Sequence, residues 1–70
     1  MTVTDWDRIQ KRAGRDKHLF PFRRVYLFGS LSRLNPTNEW LKQFRAEAEE
    51  RGLEVTSKCG RLYVLLPIGS

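Results

Sequence analysis

The sequence predicts an α+β domain of order α-β-α-β-β, a small three-stranded sheet packed on one main helix, and three observations point to it. Residues 35–52 form the one long, well-bounded amphipathic stretch. A β-type run, Val25-Tyr26-Leu27-Phe28, precedes it, and two more follow, Leu53-Glu54-Val55-Thr56-Ser57 and Leu62-Tyr63-Val64-Leu65-Leu66. The chain has 70 residues, enough for a single small domain whose core leaves little net stability, so dimerisation is a live possibility.

Residues 4–13 are expected to form the first helix. Thr4 can cap it, Asp7 is the acidic capping-box partner, and Gly14 offers a stop. At about 100° per residue, Trp6, Ile9 and Ala13 share one side, while Arg8, Lys11, Arg12 and Arg15 share the opposite side at i, i+3, i+4 and i+7. A helix this short is marginal in water. Either Trp6 and Ile9 dock on the core, or the segment is a mobile basic arm.

Residues 15–22 read as a connector, broken by Lys17, His18 and Pro21, with Phe20 and Phe22 anchoring it to the core. Residues 23–32 form the first strand. Alternation puts Val25, Leu27, Gly29 and Leu31 on a core face and Arg24, Tyr26, Phe28, Ser30 and Ser32 on the other. In the main helix Asn35 is the expected cap and Pro36 the first helical residue, with Gly52 as the left-handed stop; Trp40, Leu41, Phe44 and Ala48 form its apolar stripe. A two-residue turn at Cys59-Gly60 then sets a hairpin with Lys58 opposite Arg61, Thr56 opposite Tyr63 and Val55 opposite Val64. That register places Leu53, Val55, Leu62, Val64 and Leu66 on the core face. Glu54, Thr56, Lys58, Arg61, Tyr63 and Leu65 take the other. The β-α-β step is expected to be a right-handed crossover. Residues 1–22 thus make a basic helix and connector, residues 23–67 a β-α-β-β core, and Pro67 to Ser70 a tail.

Charge is the most informative bulk property. Lys and Arg number 13 against 8 Asp and Glu, a net +5, and residues 1–35 account for all of it. A basic half favours an anionic partner, nucleic acid above all. Other classes find no support. Cys59 is the single cysteine and His18 the single histidine, which leaves neither an intrachain disulfide nor a metal constellation, and no cofactor is expected. No apolar run is long enough to cross a membrane, and charges interrupt the start of the chain where a signal peptide would need an apolar core, so the expected location is the cytoplasm. No nucleophile–base pair, carboxylate pair or phosphate loop can be assembled, so no enzymatic activity is expected.

Leu27-Phe28-Gly29-Ser30 resembles, over these four residues, the strand-turn Gly-Ser signature of the minimal nucleotidyltransferases. That resemblance implies a downstream Asp-x-Asp pair to hold metal ions, and no aspartate follows Asp16. The main helix with the Lys58–Arg61 hairpin also resembles a winged-helix DNA reader. It departs from that family in carrying more acids than bases on the supposed recognition helix and a β-run where a second helix is required.

The candidate nucleic-acid-binding residues are Arg8, Lys11, Arg12, Arg15, Arg23, Arg24, Lys58 and Arg61 as phosphate contacts and Tyr26, Phe28 and Tyr63 as base-stacking residues on one sheet face. The same aromatic face has two further readings, as the dock for the first helix or as a dimer interface. The expected function is a small non-enzymatic DNA- or RNA-binding protein. The alternative is a protein-interaction module, a homodimer or a small inhibitor docking through an apolar patch.

Overall fold

The computed structural model describes residues 4–16, 18 and 20–67, with the Asp16 side chain excepted; the connector residue Lys17 and tail residues 68–70 lie outside the described set. β3 (Glu54–Lys58) and β4 (Arg61–Leu65) pair antiparallel in the register the two-residue turn dictates, with Lys58 opposite Arg61, Thr56 opposite Tyr63 and Val55 opposite Val64. Cys59 and Gly60 both take positive φ, 54° and 72°. This is the backbone of a type I′ turn, whose twist matches the strands it joins.

β2 (Phe20–Ser30) runs antiparallel along the other side of β4, and β1 (Gly14–Asp16) pairs with β2, giving the order β1-β2-β4-β3. The sheet therefore has four strands rather than three. The additional one, β1, joins the expected helix stop Gly14 to the first residues read as connector, because a glycine and two charged residues pairing through their backbones leave no hydrophobic alternation to detect. Since β2 and β3 are both antiparallel to β4, they run in the same direction with β4 between them. The crossover through the main helix thus spans an intervening strand.

That helix, α3 (Asn38–Glu50), starts later than its sequence cap suggests. Asn35 adopts φ 43° and closes a separate short helix, α2 (Leu31–Leu34), in what reads as a connection, whereas Thr37 caps α3 by accepting from the Trp40 N–H at 3.1 Å. Asn tolerates the left-handed region better than most residues, which suits it to this role. At the other end Gly52, with φ 74°, completes a Schellman motif: its N–H donates to the Glu49 carbonyl at 3.0 Å and that of Leu53 to the Ala48 carbonyl at 2.8 Å.

α1 (Trp6–Arg12) is capped by Asp5 rather than Thr4, with the Asp5 carboxylate accepting from the Arg8 N–H at 3.0 Å. It is docked. Trp6 and Ile9 are buried, the Trp6 ring lies 4.8 Å from that of Phe44, and Trp6 Nε1 donates to Glu47 at 3.1 Å. Burying two such side chains contributes about 1.5–3 kcal/mol each, and this tertiary term holds a seven-residue helix that would melt alone.

One face of the sheet carries the main core. Leu62, Val64 and Leu66 pack under α1 and α3 with Phe44 and Ala48, and Tyr26, Phe28, Trp40, Leu41 and Val55 close its margins. Val25, Tyr63 and Leu65 occupy the second face, covered by Phe20. Tyr63 pairs with Leu27, seven residues beyond Phe20, yet the Phe20 and Tyr63 rings are 5.6 Å apart. A straight strand would separate those positions by about 23 Å, so the start of β2 bends over the second face. Phe20 anchors the chain there as expected. Phe22, expected to do the same, is 86% exposed.

Candidate nucleic-acid interface

The phase of β2 decides which aromatics can meet a ligand, and it is opposite to the one read from the sequence. Val25 and Leu27 lie on the second face, while Tyr26 and Phe28 lie under the helices. The physical reason is that both phases of this strand are apolar, so alternation alone does not choose between them. The partner strand and α3 choose instead. Tyr26 pairs with Val64, already committed to the core, and Phe28 sits in a bulge that turns its ring to within 4.8 Å of Phe44 and 5.9 Å of Trp40. The surface expected from Arg24, Tyr26, Phe28, Lys58, Arg61 and Tyr63 therefore divides across the sheet: Arg24, Tyr26 and Phe28 belong to the helix side, and Lys58, Arg61 and Tyr63 to the other. Tyr63 is 5% exposed beneath Phe20. The three aromatics form no stacking platform. For Tyr26 and Phe28 the helix-dock reading describes the packing, with Trp6 and Ile9 in the same core.

Two of the cations are also committed internally. Arg24 donates from Nε and Nη2 to the Ala13 carbonyl at 3.1 and 2.7 Å, and from Nη2 to the Gln10 carbonyl at 3.2 Å. It thus satisfies carbonyls that the last turn of α1 leaves open, where a cation also complements the helix dipole. Arg23 donates to the Leu66 carbonyl at 2.9 Å and forms an ion pair with Glu54, fastening the end of β4 to β2.

What remains exposed is the outer face of α1. Arg8, Lys11 and Arg12 project away from the docked side, and none forms an ion pair with another described residue. Arg15, expected as the fourth cation of the helical face, lies on β1 because α1 stops at Arg12; it is exposed and pairs across the ladder with Arg24. Arg51 joins this surface from the C-cap position just past α3, and no sequence signal connects it to a helix so far away in the chain. Its guanidinium carbon lies 5.4 Å from the Trp6 ring centroid, and its Nη1 donates to the Glu47 carbonyl at 2.7 Å. Lys11, Arg24 and Arg51, with Asp7 and Gln10, line a depression of about 440 Å³ between α1 and the C-terminal end of α3.

Lys58 and Arg61 stand elsewhere. Arg61 pairs with Ser30, and Gly14 with Val25, whose β4 partner Leu65 lies four residues from Arg61, so the hairpin cations sit about 13 Å further along the sheet. Lys58 lies with its Nζ 5.8 Å from the Phe20 ring. Among the described residues no group of His, Cys, Asp or Glu is placed to hold a metal ion, and no helix is long and apolar enough to cross a membrane. Compared with protein-family models, curated proteins and solved structures, the chain matches none.

Proposed function

We propose that the protein binds nucleic acid through the sugar-phosphate backbone, with the outer face of α1 as the contact surface. One observation carries this reading: Arg8, Lys11 and Arg12 stand on a docked helix, turned away from the core and without an ion pair among the described residues. Holding cations on a rigid element avoids the ordering entropy that a mobile arm loses on binding. Arg15 and Arg51 extend the surface, and Asp5 and Asp7 bound it on the N-terminal side. Because Tyr26, Phe28 and Tyr63 serve the fold, binding proceeds without base stacking and reads the phosphate lattice rather than sequence.

A titration of labelled duplex and single-stranded oligonucleotides, followed by anisotropy at low and moderate salt, tests this. The expected result is salt-sensitive binding with little sequence preference and no advantage for single strands. Replacing Arg8, Lys11 and Arg12 together by Gln should lower the slope of log K against log salt by about 2–3, near 0.9 per lost phosphate contact. Unchanged affinity and slope in that variant would refute the assignment. A second reading, a protein-interaction module, draws on Phe22 and Leu27, 86% and 49% exposed, and absence of any oligonucleotide binding at low salt would favour it.

A further inference from the structure

The outer edge of β3 is the feature that neither the fold nor the basic helix uses. We propose that it is a homodimer seam, with β3 of one copy pairing antiparallel to β3 of a second copy about a two-fold axis at Thr56.

The hydrogen-bond phase of the hairpin supports this register. A two-residue turn makes Lys58 and Arg61 a hydrogen-bonded pair, and alternation then makes Thr56–Tyr63 and Glu54–Leu65 hydrogen-bonded as well. The N–H and C=O groups of Val55 and Ser57 therefore point outward, and neither residue takes a backbone partner on that side among the described residues. Pairing about Thr56 sets Val55 against the second copy's Ser57 on both sides of the axis, so all four outward groups of each copy are matched.

Charge complementarity selects the same register. The strand reads Glu54-Val55-Thr56-Ser57-Lys58, with opposite charges at its ends and none between. The two-fold pairing places Glu54 of each copy, which keeps one carboxylate oxygen on its own Arg23, opposite Lys58 of the other on one sheet face, with Thr56 facing Thr56, and both kinds of pair are favourable across strands. A slip of two residues in either direction opposes Thr56 to Lys58 or to Glu54 and loses the match. The edge also lacks the devices that normally discourage pairing: it has no proline, no bulge in its ladder with β4 and no charge at its centre. Such a dimer has one continuous eight-stranded sheet with the helices of both copies on the same side. The two β2 strands, over which the α1 helices lie, are then about 24 Å apart, which would extend the cationic surface along a duplex. The seam itself does not depend on nucleic-acid binding.

Sedimentation equilibrium of the full chain, without nucleic acid, tests the proposal. The wild type should show a concentration-dependent monomer–dimer equilibrium. Ser57→Pro removes an outward N–H that the monomer does not use, and should be monomeric with an unchanged circular dichroism spectrum. Lys58→Glu and Glu54→Lys should each raise the dissociation constant by about tenfold or more through two like-charge contacts; Glu54→Lys also breaks the intrachain pair with Arg23, so its circular dichroism spectrum and thermal unfolding are measured alongside to show that it is folded. Their equimolar mixture should restore dimerisation, because each Glu again faces a Lys. A wild type that stays monomeric up to about 0.5 mM, well into the weak-affinity range, overturns the seam, as does a Ser57→Pro dimer of wild-type strength. A mixture that associates no better than its components overturns the register.

Discussion

Arg24→Met separates a phosphate-binding arginine from one that holds a helix in place. Methionine retains an aliphatic stem of similar reach and removes the guanidinium, so the bonds at 3.1, 2.7 and 3.2 Å to the Ala13 and Gln10 carbonyls are lost together. Hydrogen bonds from a charged group contribute about 1.5–3 kcal/mol; the site is part-buried and water can re-solvate one carbonyl, so about 2 kcal/mol is the expected loss. For a domain of this size that lowers Tm by about 8–16 °C. Thermal unfolding followed by circular dichroism measures it, with Arg8→Gln, an exposed cation with no ion pair among the described residues, as the control expected within about 0.5 kcal/mol of wild type. The oligonucleotide titration supplies the second readout. A helix-holding Arg24 leaves the salt slope unchanged below the new Tm, whereas a phosphate contact reduces it by about 0.9. A destabilisation below about 1 kcal/mol, the scale of an exposed surface contact, together with a reduced slope, would refute the structural role.

Two further predictions concern the core and the hairpin. Phe44 is 2% exposed, and its ring centroid lies 4.8–4.9 Å from those of Trp6, Phe28 and Trp40; Phe44→Ala should cost about 3–5 kcal/mol, most of the stability of so small a domain. Near-ultraviolet circular dichroism of the two tryptophans should collapse, and a cooperative transition within about 1 kcal/mol of wild type would contradict this packing. Cys59→Asn should stabilise the chain by about 0.5–1 kcal/mol, since asparagine suits the first position of a type I′ turn, where the cysteine is held at positive φ. The urea midpoint should rise; a fall would argue against this turn geometry.

The hairpin register was legible because a two-residue turn and a one-sided apolar pattern, Leu62, Val64 and Leu66 against Arg61 and Tyr63, point to the same pairing. The α3 stripe and its Gly52 stop were legible for a similar reason: periodicity, a glycine and the chain reversal after it agree. The candidate interface was legible only where it depends on local spacing. Arg8, Lys11 and Arg12 share a helical face by geometry alone, but Arg15 left that face because the chain turns extended after Arg12 and enters β1.

By itself, then, the sequence determined the α+β class, the main helix and its stop, the closing hairpin and the cationic face of α1, all set by interactions between residues a few positions apart. Tertiary structure alone decided the rest. It recruited Gly14–Asp16 as a fourth strand, set the phase of β2, bent Phe20 over Tyr63, and committed Arg23 and Arg24 to internal carbonyls. Each of these turns on a partner distant in the chain or on a choice between two apolar faces, and local periodicity carries no energy difference between such alternatives until the helices have docked.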